Sequence, residues 1–443
     1  MADLSSAGPF GLNGLTATEA ARRLEAGEIS SERLISDCLE RVEARDPIIN
    51  AWAHIEPALA LEQARLLDNT PRLSPLHGIP IGIKDVFDTE DMPTAHGFPP
   101  YVGKMWGEES ACVSSLRRAG LVIMGKTVTT EFACPKPIGT KNPHDFSRTA
   151  SVSSSGSGAA VADFMVTLAN GTQTGGSVIG PAASNGVYGF KASLNGIDRA
   201  GFRHCKGGID TIGLFARAME DLILLRSVNV GEDPGEFIDG KSHPRLALVR
   251  TAAWDQAEPC SRQAIAIAVD MLKDAGADVN DLELPELFSQ ITSDFAVVNA
   301  WEGAHALQFE VQNHFSEFND HNNERVLFAR TLTLADYETS RAKLAAARAE
   351  MDRLASRYDL FLTPSLPGEA PVGTLQVRNA VFNRLWTQMY MPAVNLPLFE
   401  GPNGMPVNLQ LIGREHSDCM TLLWAQWVDQ RLRERLAGVP MAL

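Results

Sequence analysis

The sequence predicts an α/β protein built on a β-sheet. Short apolar, β-branched runs alternate with segments of helical period along the chain. No internal repeat and no shift of composition divides its 443 residues into separate parts. Length alone, at about 150 residues per domain, would suggest roughly three domains, but large α/β enzymes often exceed that size as one unit.

Residues 15–66 read as helices. Thr16 and Glu19 have the spacing of a capping box, and Leu34, Ile35, Cys38, Leu39 and Val42 recur at 3.6-type spacing to give one buried stripe. From Pro75 the texture changes: LHGIPIGIKDVF is short, apolar, β-branched and punctuated by glycine, which predicts a buried strand near a turn. LVIMGKT, residues 121–127, predicts a second interior strand. Between 149 and 193, serines and glycines surround one apolar helix over 158–168. Residues 231–244 are polar and turn-rich, and read as a surface linker. RLALVR then predicts a strand, and Ile265, Ala268 and Leu272 the apolar face of a following helix. Tyr337, Leu344, Met351 and Leu354 mark a long helix before the strand DLFLTP.

Composition narrows the function. The formal net charge of −15 argues against a general polyanion-binding surface, and so against nucleic acid. Hydrophobic residues at 44% and charged residues at 21% suit a chain that buries a core. Six scattered cysteines without a C-x-x-C pair form neither a disulfide scaffold nor a zinc spacing. The opening MADLSSAGPFGLNG has no basic or apolar region of a secretory signal. The apolar stretch 159–168 is interrupted by Asp163 and too short to span a bilayer. A cytoplasmic setting, away from membranes, is the expectation.

One motif is misleading. GLVIMGKT, residues 120–127, matches G-x-x-x-x-G-K-S/T letter for letter. A phosphate loop must present backbone N–H groups and then open a helix, whereas Leu, Val, Ile and Met favour a buried strand. Likewise Gly156 and Gly158 begin a G-x-G, but Val161 stands where a third glycine or alanine belongs.

The run VSSSGSG reads on its own as a flexible linker. It leads, however, straight into the apolar helix with no polar spacer, and a second turn, Thr174-Gly175-Gly176-Ser177, follows. A helix between two such turns can bring both serine clusters to one point. Glycine pairs also let N–H groups approach a ligand closely, as an oxyanion hole requires. None of the ten histidines lies in these segments to activate a serine, and Ser177 is not in a G-x-S-x-G elbow. Lys84 lies in PIGIKD among apolar residues, where desolvation would favour the neutral amine. The alternative is a surface lysine paired with Asp85.

Taken in order, Gly78-Ile79-Pro80 to Lys84-Asp85, GKTVTTEFA, SSSGSGAAVA, GTQTGGSVIGPAA and GFK resemble the amidase signature family. The likeness runs from LTATEAARRLEAGEISSERL to MPAVNLPLFEGPNGMPVNLQLIG and is least diagnostic over about 231–350. It implies a single large domain over 1–443, with a central mixed, twisted sheet covered by helices on both faces. Within it, 1–70 would be helical, 71–230 the signature core, 231–350 a more variable region, and 351–443 the part completing sheet and pocket.

The resemblance also implies a Ser–cis-Ser–Lys triad. Ser177 falls on the nucleophile, Ser153 on the bridging serine held by a cis peptide bond, and Lys84 on the base. A cis bond before a non-proline residue costs ~3–4 kcal/mol. Thr174, Gly175, Gly176 and Ser177 fall on the oxyanion hole. The implied reaction is acyl transfer to Ser177, with no cofactor and no metal.

Two departures stand out. Ser151-Val152 replaces the usual Gly-Gly before the bridging serine, and β-branched Val152 resists φ > 0, so the turn there must differ. Gly180 stands in G-G-S-I/V-x-x-P where an arginine is common, which removes a clamp for a substrate carboxylate. Small neutral amides, aryl amides and carbamates become the expected substrates. Phe132, Gly180, Cys205, Trp386 and Tyr390 are candidate pocket residues, although burial in the core is the simpler role for Phe132 and Trp386. The loop 201–210 is a candidate cover for the entrance. A homodimer is expected by family analogy. Rival readings are a non-catalytic amide-binding relative and an amidotransferase A-type glutaminase subunit.

Overall fold

The computed structural model describes residues 11–203, 206–239, 242–377 and 380–437. Eleven strands form one sheet: β1 (Trp52–Ile55), β2 (Pro80–Lys84), β3 (Val122–Thr127), β4 (Leu168–Gln173), β5 (Tyr188–Lys191), β6 (Thr211–Ala216), β7 (Arg245–Val249), β8 (Asp278–Leu282), β9 (Leu360–Pro364), β10 (Ala393–Glu400) and β11 (Pro406–Ile412). Their order is β1-β3-β2-β4-β6-β5-β10-β11-β9-β7-β8. β2 runs parallel to β3 and β4, and β7 parallel to β8 and β9, while the strands between these groups pair antiparallel. The sheet is mixed, as expected.

Every residue of β2, β3, β4 and β6 is buried, so these strands are covered on both faces. That is why β2 and β3 read as continuous apolar runs, while β4, LANGTQ, buries polar side chains. GLVIMGKT is accordingly strand β3 and not a phosphate loop. Helices Pro259–Asp274 and Leu334–Ala355 bury the predicted Ile265, Ala268, Leu272, Leu344, Met351 and Leu354.

Two elements differ from expectation. The span 15–66 holds helices Ala17–Glu25, Ser31–Ile49 and Pro57–Asp68, but Trp52–Ile55 leaves them to pair antiparallel with β3. Asn50 enters the left-handed region at φ 58 and ends the helix, and the Asp46 carboxylate then accepts from the N–H groups of Ala51 and Trp52. The helix expected over 158–168 is instead Ser155–Ala162, and Leu168 already opens β4. Buried Asp163 stops it, paired with Arg41 at 3.0 Å and Arg45 at 2.7 Å, and Phe164 at φ 60 reverses the chain.

Among the described residues no helix is long and apolar enough to cross a membrane. Because β2 and β4 are parallel neighbours, their carboxyl ends, Lys84 and Thr172-Gln173, emerge together. Ligands in open α/β sheets gather at such ends.

Candidate active site

Lys84 closes β2 and is wholly buried, at 0% exposure. Its backbone N–H donates to Asn170 Oδ1 at 2.8 Å, which fixes the strand end against β4. Its Nζ lies 3.0 Å from Ser153 Oγ, 3.0 Å from Ser154 Oγ and 2.7 Å from Thr172 Oγ1. The alternative of a surface lysine paired with Asp85 is excluded. Asp85 turns away, accepting from Ala95 N and pairing with Lys126 at 3.5 Å. Its burial pushes the carboxyl up, opposed by Lys126.

The serines arrive from the turn before helix Ser155–Ala162. Ser157 in that helix donates to Asn170 O at 2.8 Å and meets Thr127 Oγ1 at 2.7 Å, locking the helix onto β4 and β3. The turn departs from expectation. No cis peptide bond occurs among the described residues, so Ser153 reaches Lys84 along a trans chain. The reversal is made by Ser151, at φ 81, which spares β-branched Val152 the left-handed region.

Beyond β4, Gln173 organises the second turn. Its Oε1 accepts from Val178 N at 2.9 Å and Ile179 N at 3.0 Å, and its Nε2 donates to Thr387 Oγ1 at 3.0 Å. Thr174 donates to Asp210 at 2.5 Å. Gly176 is required by contact, since a β-carbon there would lie 2.6 Å from Ala380 Cβ and 2.7 Å from Asn383 Oδ1. Among the described residues, none of the N–H groups of Thr174, Gly175, Gly176 and Ser177 donates to a protein acceptor. Four consecutive free donors thus surround Ser177, which is 9% exposed and lines a pocket of about 520 Å³ with them.

The structure therefore brings Lys84 and Ser153 into contact and sets Ser177 with its loop on the pocket. Of the candidate pocket residues, Phe132, Gly180, Trp386 and Tyr390 are not among those that line this pocket. Phe132 packs in an aromatic cluster with Phe98, Tyr101 and Phe318, and Trp386 packs against Phe361 in a second core. Tyr390 lies under the Arg348 guanidinium, 4.1 Å from its ring centroid. Gly180 is buried in helix Ile179–Asn185, where a β-carbon would lie 3.2 Å from Ser151 Oγ. Cys205 lies outside the described residues. From the loop 201–210, Lys206 does reach the pocket wall.

Sequence reasoning missed Ser154 and Thr172 as partners of Lys84, Gln173 as the residue that shapes the loop, and Phe295, Arg325 and Arg384 in the wall. Thr172 had little signal, because its strand reads LANGTQ, polar beyond Ala169. The wall residues had none, since charged helix positions ordinarily face water. Among the described residues, no group of three His, Cys, Asp or Glu side chains is placed to hold a metal.

A lysine beneath serine hydroxyls, beside a loop of free N–H groups at the carboxyl ends of two interior strands, defines a serine–lysine site suited to acyl transfer. Residues 33–422 match the amidase family model, and the chain belongs to the amidase signature family of hydrolases. It is similar to the A subunit of glutamyl-tRNA(Gln) amidotransferase from Chloroflexus aggregans, 30% identical over 93% of this chain and 95% of that one. The crystal structure of an amidase superposes with a TM-score of 0.85, at 28% identity, covering 94% of this chain and 100% of the other. Native peptide amidase from Stenotrophomonas maltophilia shares the fold, with a TM-score of 0.81 at 24% identity over 96% and 98% of the two chains.

Proposed function

We propose that the chain hydrolyses the C–N bond of small amides, aryl amides and carbamates included, through an acyl-enzyme on Ser177. The observation that carries the reading is the Lys84 Nζ to Ser153 Oγ contact of 3.0 Å, buried beside the loop that holds Ser177. Ser177 Oγ attacks the carbonyl carbon while its proton passes to Ser153, which gives its own to Lys84. An amine hidden from water favours its uncharged form and can take that proton. The N–H groups of residues 174–177 donate to the oxyanion, and losing one such donor typically costs ~2.7–4 kcal/mol of transition-state stabilisation. The proton returns through Ser153 to the leaving nitrogen, and the C–N bond breaks. Water then attacks the ester, delivering one proton by the same path, and the acid departs as Ser177 regains its hydrogen. A carbamate presents the same carbonyl.

Modification by a fluorophosphonate, read by intact mass, tests this. A single adduct that disappears in Ser177→Ala is expected, together with release of arylamine from an aryl amide or aryl carbamate. An unmodified wild type with no turnover would leave only an amide-binding relative. A second reading, glutaminase in an amidotransferase, is favoured by the identity with amidotransferase A subunits. Ammonia release from glutamine that rises on adding a partner protein would select it.

A further inference from the structure

The chemistry at the carbonyl leaves open what the rest of the substrate carries. Three cations, Lys206, Arg325 and Arg384, line the pocket around Ser177, and no carboxylate does among the described residues. Lys206 is 2% exposed and Arg325 is 7% exposed. Burial of a charge is costly unless the charge is paired. Yet among the described residues none of the three side chains has an ion pair or a hydrogen bond, and Arg325 Nε and Nη2 are buried without an acceptor. The acids nearby are engaged: Glu131 accepts from Asn319 N and Asn322 Nδ2, and Asp210 from Thr174 Oγ1 and Lys206 N.

The three come from separate parts of the chain: the loop before β6, helix Asp320–Ala329 and helix Arg384–Gln388. Arg384 stands against the loop that bears Ser177, since a β-carbon on Gly175 would lie 3.8 Å from its Cγ and 3.9 Å from its Nε. On the same wall, the His321 imidazole is held below its usual range by burial first and then by Arg325 and Lys206, and it supplies no counter-charge to the cations.

The missing guanidinium at position 180 pointed to neutral substrates. A β-carbon at that position would stand 3.2 Å from Ser151 Oγ, and the positive charge enters from elsewhere. Resting on the acyl-enzyme reading above, we propose that the substrate bears a carboxylate a few bonds from the scissile carbonyl, held by Arg384 together with Lys206 and Arg325. Paired N–H groups of a guanidinium match a carboxylate's two oxygens, which adds orientation to attraction. Fixing the acid beside the loop sets the carbonyl over Ser177.

The test compares two fluorophosphonates of equal length, one ending in a carboxylate and one in its methyl ester, by the rate at which each modifies Ser177. Wild type is expected to react about tenfold faster with the acid, as one hydrogen bond to a charged group allows. That ratio should fall towards one in Arg384→Gln and in Lys206→Met, while Arg384→Lys keeps part of it. Succinate should also slow modification of the wild type by the ester reagent, whereas dimethyl succinate should not, a measure that needs no variant to fold. Equal or slower reaction of the acid in wild type overturns the proposal, as does a ratio unchanged in the Arg384→Gln/Lys206→Met double variant. Failure of both reagents to modify Ser177 removes the hydrolase reading beneath it. Modification without preference removes the carboxylate alone.

Discussion

Two buried lysines stand one register step apart on neighbouring strands, Ile83 opposite Lys126 and Lys84 opposite Thr127, so their side chains leave opposite faces of the sheet. On one face Lys126 is held by the Phe87 carbonyl at 2.8 Å, Thr94 Oγ1 at 2.5 Å and the Asp85 carboxylate at 3.5 Å. On the other, Lys84 meets the hydroxyls of Ser153, Ser154 and Thr172. A carbonyl only accepts, and a carboxylate beside an ammonium favours the charge. A hydroxyl both donates and accepts, so a proton can enter and leave along it. The same residue type is thus an anchor on one side of the sheet and, on the acyl-enzyme reading proposed above, a proton acceptor on the other, and the difference lies in its neighbours.

Breaking the comparison at Lys84 should give the largest effect. Lys84→Met is expected to slow acylation on the order of 10³-fold or more, since it removes the base, with the urea midpoint little changed. Stopped-flow or intact-mass kinetics of Ser177 modification would measure it. Lys126→Met should do the reverse. It strands Asp85 and should cost about 3–5 kcal/mol in urea unfolding, with the residual folded protein still modified at Ser177. Lys126→Met combined with Asp85→Asn should recover most of that loss.

A third buried lysine sharpens the contrast. Burial lowers Lys191 from its usual 10.5 to about 7, opposed by Asp418 and Glu415. Between about pH 7 and 10.5 the unfolded chain holds this proton and the native chain does not. Lys191 therefore adds stability as pH rises through that window, at most about 1.4 kcal/mol per unit. Urea unfolding of wild type and Lys191→Met at several pH values should show this slope only in the former. The smallest change is expected from Ser154→Ala. It removes one of three hydroxyls around Lys84 and should slow acylation about tenfold, while Ser153 and Thr172 stay in place.

The reacting groups were legible because they lie on elements set by local rules. β2 and β3 announce themselves as apolar runs, and the turn at 174–177 as a glycine pair. The pairing of Lys84 with Ser153 came from the ordered motifs of the family resemblance, since PIGIKD alone equally suits a lysine at the surface. The wall was not legible. Arg325 and Arg384 are brought to it by packing of helices far apart in sequence, and a charged residue on a helix gives no hint that it faces inward; of the three cations only Lys206 lies on a segment, the loop 201–210, that was expected at the entrance. The turn at Ser151 was foreseen as irregular through Val152, but the residue that takes the positive φ depends on how Ser153 must reach Lys84. Asp163 hid for the opposite reason: one acid in an apolar stretch reads as an interruption.

That acid ties distant stretches of chain together. Arg41 and Arg45 belong to the helix Ser31–Ile49, and both close on Asp163 just past the last turn of the helix that follows Ser153 and Ser154. A polypeptide beginning near residue 70 would keep every reacting group and lose the bolt that holds the serine helix in line. The leading helices, which line no part of the pocket around Ser177, are thus mechanically part of the catalyst.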